Sequence, residues 1–155
     1  MSSIRKATIN NIETMVLLYD QKRTEYSKAQ PQFWKRAENA NQIQANWFKQ
    51  LLEHKDYFCY VAENNSQIDG FIIGRIVLAP EVYNPGGMTM MIDDFCVKDS
   101  NLWGLMGAKL VEVLRNASKD VAQILVVCGA HDKHKRQFLK KIGLSVASEW
   151  YVGTI

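Results

Sequence analysis

Apolar residues recur along the chain at two spacings, and the switches between them outline its elements. Ile4 to Ala7 reads as a short first strand, and Thr8 to Asn11 supply polar groups suited to capping a helix. From Asn11 onward, Ile12, Met15, Val16, Tyr19, Arg23 and Tyr26 keep a near-helical period that stops before Pro31. A second helix is predicted from about Asn39 to His54, with Ile43, Trp47, Leu51 and Leu52 on one face. Tyr57 to Glu63 alternates and is rich in β-formers, so it reads as a strand. Asn64-Asn65-Ser66 is a hairpin turn leading into a partner strand from Gln67 to Leu78, where Gly70 and Gly74 mark a bulge or a close backbone approach. After a Pro80 to Gly87 loop, Met88 to Val97 is apolar on both faces until Asp93-Asp94, as an interior strand is. Leu102 to Lys119 follows as an amphipathic helix, and Val121 to Cys128 as a buried strand. His131 to Ile142 is a basic helix closed by Gly143, and Leu144 to Ile155 reads as a final strand, or two short ones broken near Ser148.

The order β-α-α-β-β-β-α-β-α-β joins antiparallel hairpins to a strand–helix–strand crossover. It predicts an α/β domain with a mixed, mostly antiparallel central sheet flanked by helices, not a doubly wound parallel sheet. At 155 residues, with 47% hydrophobic and 23% charged residues and no repeat or linker, the expectation is a single domain over 1–155. No apolar run follows Arg5 and Lys6, and none approaches the roughly 20 residues that span a bilayer, so a cytoplasmic protein is expected. Cys59, Cys96 and Cys128 lie in apolar strand-like segments without CxxC spacing, which points to buried, reduced thiols and to no metal site. A net charge of +3 is too small to imply nucleic acid and suits a polyanionic small ligand equally well.

The segment richest in chemistry is Ile92-Asp93-Asp94-Phe95-Cys96-Val97, followed after a short link by Trp103-Gly104-Leu105-Met106-Gly107-Ala108. A strand feeding a loop that opens a helix leaves free N–H groups at the helix N-terminus, a setting that attracts phosphate. Gly104 and Gly107 would let a ligand come close to the backbone.

The element order, the acidic pair late in the central strand and this loop–helix together resemble the GNAT N-acyltransferases, and the resemblance runs from Ile4 to the C-terminus. In that family the loop has the pattern Arg/Gln-x-x-Gly-x-Gly/Ala and wraps the pyrophosphate of acetyl-CoA. Here the six positions are Leu102, Trp103, Gly104, Leu105, Met106 and Gly107, and only Gly107 matches. Phe138-Leu139-Lys140-Lys141-Ile142-Gly143-Leu144 is similar to the family's Phe-Tyr-x-x-x-Gly-Phe, with Leu139 where the family commonly has its general-acid Tyr. Asp132 stands where many members have an Asn that touches the pantetheine arm. The resemblance implies acyl transfer from acetyl-CoA or another acyl-CoA as cofactor to a small-molecule or peptide amine. Backbone at Phe95, Cys96 and Val97 and the segment Leu102 to Ala108 would then bind the cofactor, and a homodimer through the final strands would fit the family.

Asp93 or Asp94 would take the amine's proton. Adjacent strand residues point to opposite faces, so one of the two is expected in the cleft, Asp93 by a narrow margin. Tyr151, or failing it Tyr83, is the candidate proton donor in place of the missing Tyr. His131 and His134 flank Asp132 without metal spacing, and His131 is expected as a cap or surface residue. Lys133-His134-Lys135-Arg136 with Lys140 and Lys141 is read as a solvated helix face rather than a contact for the CoA 3′-phosphate or nucleic acid. Phe33, Trp34, Trp47 and Trp103 are candidates for an acceptor pocket, and Trp103 is bulky enough to fill part of the phosphate site. The alternative to an enzyme is a catalytically inactive module that keeps the fold and has lost cofactor turnover.

Overall fold

The computed structural model describes residues 2–155. Five strands, β1 (Ser2–Lys6), β2 (Tyr57–Asn64), β3 (Gln67–Val77), β4 (Met88–Val97) and β5 (Val121–Val126), form one sheet in the order β1-β2-β3-β4-β5. The first four are antiparallel, and β5 joins β4 in parallel. The β2–β3 hairpin turns on Asn65 and Ser66, whose φ angles of 49° and 65° supply the left-handed pair that a tight two-residue turn requires. The mixed α/β sheet expected from the element order is the one observed.

Strand alternation splits the apolar residues between two cores. Helices α1 (Ile12–Ala29) and α2 (Ala40–Glu53) cover one face, burying Met15, Phe48 and Leu51 on Val61, Phe71 and Ile73. Helices α3 (Ala108–Ala117) and α4 (Lys133–Lys141) cover the other, burying Leu110, Leu114 and Phe138 on Ile72, Met90, Ile92 and Phe95. Gly74 marks the close approach that the sequence suggested: a Cβ there would lie 2.8 Å from Met90 Sδ and 2.9 Å from Leu114.

Two expectations are corrected. The helix placed over Leu102 to Lys119 is broken into a 3₁₀ turn at Ser100–Leu102, a wide π-helical turn at Trp103–Gly107, and α3 itself. The expected final strand does not form. After the Leu144 N–H bonds the Leu139 carbonyl, residues 145–155 make no backbone–backbone hydrogen bond among the described residues. Their pattern suits a strand, but a strand exists only with a ladder partner, and within this chain none is supplied. Among the described residues, no helix is long and apolar enough to cross a membrane.

Candidate active site

The site is built on an irregularity in β4. Ile73 pairs with Asp94 and Gly74 pairs with Ile92, so Asp93 is an extra residue on the bulged strand. Before it, Met90 and Ile92 face the α3/α4 core; after it, Phe95 and Val97 do. The parity change turns Asp93 and Asp94 toward the same face, where both line one cavity. The expectation that only one of the pair could face the cleft is therefore overturned, because the bulge cancels the alternation it assumed.

This cavity, about 180 Å³, is walled by Trp47 and Leu51 of α2, Tyr57 of β2, Ile73, Gly74 and Arg75 of β3, and Met91 of β4. Asp93 is half exposed, and its nearest cation is Arg75, whose Nε lies 3.7 Å from Oδ2. Asp94 sits deeper. Burial, reinforced by the neighbouring Asp93 charge, raises its pKa to about 6, against the opposing pull of the Tyr19 phenol, Lys135 and Arg23. Tyr19 and Arg23 come from α1, and Arg23 also bonds Asn41 Oδ1 at 3.1 Å, tying α1 to α2 beside the carboxylates. A carboxyl half-ionised near pH 6 is suited to exchanging protons with an amine.

On the other side of β4 the strands part. The last link is the Val127 N–H to the Ile92 carbonyl, and beyond it β4 is no longer paired with β5. Side chains pack around Phe95 just beyond this split. Lys135, 1% exposed, donates from Nζ to the Phe95 carbonyl at 2.9 Å and lies 5.4 Å and 5.7 Å from the ring centroids of Phe95 and Trp103. Burial lowers its pKa. The solvated-face expectation thus fails for Lys135, although Lys133, Arg136, Lys140 and Lys141 are exposed. Trp103 is buried, stacked on Phe138 at 5.3 Å and edge-on to Phe95 at 4.9 Å.

A Cβ on Gly107 would meet the Trp103 ring at 2.8 Å and Phe138 at 3.2 Å, so this glycine is required by aromatic packing. Gly104 has open space around its Cβ position, and Leu105 is exposed. Leu102 and Ala108 pack against the α3/α4 core, and Met106 is inside it. Open space along this loop therefore lies at the Gly104–Leu105 rim rather than at Gly107, and the Phe95 carbonyl is already bonded by Lys135.

The remaining candidates scatter. Asp132 caps α4, its Oδ1 accepting from the Lys135 N–H at 3.1 Å. His131 is neither cap nor surface residue: Tyr26 and Trp34 pack around its ring at 4.8 Å and 5.4 Å, and neither ring nitrogen has a hydrogen-bond partner. Tyr151 lies outside the cavity, 88% exposed, donating its hydroxyl to Glu149 at 2.6 Å. Tyr83 lines a broader, open depression of about 610 Å³ at the opposite end of β4. Of the aromatic candidates only Trp47 lines the cavity; Phe33 and Trp34 pack on each other at 5.2 Å. Burial pushes the Cys59 and Cys96 thiols up to about 12, which leaves them inert as nucleophiles. Tyr19, Arg23 and Lys135 were not singled out by sequence, though Tyr19 and Arg23 belong to the helical period read for α1.

No family model and no curated protein matches the chain. Solved structures do. A variant of the BH1408 protein from Bacillus halodurans superposes with a TM-score of 0.84 at 18% identity, covering 99% of each chain. A predicted acetyltransferase with acetyl-CoA from Clostridium acetobutylicum gives 0.73 at 19% identity, covering 99% of this chain and 96% of that one. A transcriptional regulator from Bacillus halodurans gives 0.71 at 18% identity over the whole of both. Further neighbours include a ribosomal-protein-alanine N-acetyltransferase from Brucella melitensis and a protein described as a possible acetyltransferase from Clostridium difficile. The GNAT resemblance seen in the sequence holds at the level of the fold: the chain has the acyl-CoA N-acyltransferase-like α/β architecture.

Proposed function

We propose that the chain is an acyl-CoA-dependent N-acyltransferase with Asp94 as its proton acceptor. The observation that carries this is the β4 bulge, which sets two carboxylates in one aromatic-walled cavity at the point along β4 where its pairing with β5 ends. An ammonium group entering the cavity is drawn by Asp93 and Asp94 and lies against Trp47 and Tyr57, whose ring faces favour a cation. Above about pH 6 the ionised Asp94 takes a proton from it, freeing the nitrogen lone pair. Asp93, held by Arg75, supplies charge at the rim. Backbone at Gly104–Leu105 and the β4 edge from Phe95 to Val97 would hold acetyl-CoA, which when bound supplies the acyl thioester. A cavity of this size admits the end of an amine, so the acceptor is a small molecule or a peptide amine presented by its tip.

A second reading, a non-catalytic module, is favoured by the buried Trp103 and Lys135, which pack against Phe95 beside the loop. One experiment separates the two: release of free CoA thiol from acetyl-CoA across a panel of primary amines, for the wild type and Asp94→Asn. The transferase requires turnover that rises with pH through about 6 and falls on the order of 100-fold in the variant. Turnover that is absent with every amine, or untouched by Asp94→Asn, would leave the binding module as the better description.

A further inference from the structure

One cation in the acidic cavity has donors that the chain does not use. Arg75, on β3, lines the cavity together with Asp93 and Asp94. Its Nε is shielded from solvent and makes no hydrogen bond among the described residues. Its ion-pair partner, Asp93 Oδ2, stands 3.7 Å from Nε, beyond hydrogen-bond length, so the contact is a loose one. A guanidinium carries five N–H donors in a planar fork, and the partner that fits the fork is a carboxylate bound through both oxygens. A shielded donor without an acceptor is costly to the folded chain.

Register sets the distance between this cation and the deeper carboxyl. Ile73 pairs with Asp94, and Arg75, two residues further along β3, pairs with Tyr57 on one side and Met91 on the other. Residues two apart on a strand share a face and are separated by about 7 Å. Asp94 and Arg75 therefore stand in neighbouring rows of the face that carries Ile73, with Asp94 the deeper and the Arg75 side chain 43% exposed at the mouth. Trp47 meets Tyr57 edge-on at 6.0 Å, which fixes the aromatic wall, and Leu51 and Met91 continue the apolar lining. The space of about 180 Å³ is small beside the roughly 300–1,000 Å³ of pockets that take drug-sized ligands. It suits a molecule of a few bonds with one apolar arm.

We infer that the acceptor is a small zwitterion, a free amino acid with an apolar side chain, whose ammonium meets Asp94 and whose carboxylate is received by Arg75. The inference rests on the acceptor site proposed above and narrows it. An amino acid holds its ammonium and carboxylate a few bonds apart, so one molecule can touch two adjacent rows of the sheet. Its side chain is left to lie on Trp47, Leu51 and Met91. The same charges select against other amines. A diamine would set its second cation against Arg75. An alkylamine would answer the carboxylates and leave the guanidinium without a partner. A lysine side chain within a protein brings no carboxylate of its own into the cavity.

Equilibrium dialysis of isotopically labelled leucine and isoamylamine against the full chain, with CoA present, tests it without relying on turnover. The two probes share the amine and the branched chain and differ only in the carboxylate. The wild type is expected to bind leucine at least about 10-fold more tightly than isoamylamine, and Arg75→Met to bring that ratio close to one. Arg75→Lys, which keeps the charge without the fork, should fall between them. Each ratio is taken within one protein, so a loss of folded fraction cancels from it. Equal affinity for the two probes in the wild type, or no measurable leucine binding, overturns the inference. So does a preference that survives Arg75→Met. Acetyl-CoA turnover with the same two amines separates its failure from that of the transferase. Leucine binding that depends on Arg75 without acyl transfer supports the zwitterion site and sinks the enzyme, whereas equally efficient transfer to both amines does the reverse.

Discussion

β4 borders two clefts that differ in how their polar groups are treated. On the α1/α2 side, Asp93 and Asp94 share a cavity, and the deeper carboxyl is pushed to a pKa near 6. On the α3/α4 side, the Phe95 carbonyl is bonded by Lys135 and the space is closed by Trp103 and Phe138. The first arrangement sacrifices stability, since a buried carboxylate beside a like charge resists ionisation. The second builds stability from aromatic contact. Groups held in unfavourable environments are where proton transfer is expected. On the proposed reading the chemistry belongs to the acidic cavity, and the loop is chiefly a structural element with open space only at its Gly104–Leu105 rim.

The strongest way to break that assignment is Trp103→Ala. If the indole is core, its removal leaves a cavity between Phe95 and Phe138 and should cost about 3–5 kcal/mol in urea denaturation. A loss below about 1 kcal/mol would mean the loop tolerates an empty site, and the contrast between the clefts would collapse.

A smaller effect sharpens the same point within the loop. Gly107→Ala drives a methyl into Trp103 and Phe138, and should destabilise by about 1–3 kcal/mol. Gly104→Ala meets nothing within 4 Å and should leave the thermal midpoint unchanged or slightly higher. Titrating both variants with acetyl-CoA completes the test. Weakened binding confined to Gly104→Ala supports the rim as the phosphate site, whereas weakening confined to Gly107→Ala moves it inward.

The five observed strands and helices α1, α2 and α4 were legible because they rest on local periodicity, as was α3 from Ala108 onward: Ile12 to Tyr26 could only bury one face as a helix. Three features were not legible, each for a non-local reason. The Asp93 bulge depends on the register of β3 against β4, which two neighbouring aspartates do not encode. Lys135 reads as one cation in a basic run, and its burial follows from α4 crossing the point where β4 and β5 part. Residues 144–155 have a strand's alternation, but pairing depends on a partner that the sequence of one chain does not display. Gly107 was legible as the match to the family's phosphate-loop position, and what the sequence did not show is its packing: a Cβ there would meet the rings of Trp103 and Phe138.

The smallest expected effect concerns the stability of the acidic cavity itself. Asp94 has a folded pKa of about 6 against an ordinary value of 3.8, so the folded state disfavours its ionised form. Below about pH 4 the group is protonated in both states, and its favourable contribution is fully present. As pH climbs through 6 the folded protein must ionise a group that the unfolded chain ionises freely, and that contribution is lost. Asp94→Asn, which cannot ionise, should therefore match the wild type near pH 4. It should exceed it by about 1–2 kcal/mol at pH 8, a figure reduced for the solvent screening of a partly buried site. Chemical denaturation of both proteins at the two pH values measures the difference directly. A variant less stable than wild type at pH 8 would show that Asp94 is an anchoring ion held by Arg23, Lys135 and the Tyr19 phenol. Both clefts would then be structural, and the case for a poised base would fall with the contrast. A gain at pH 8 that disappears at pH 4 identifies the cavity as the place where this fold accepts instability, as a proton-transfer site must when its carboxyl is kept out of water.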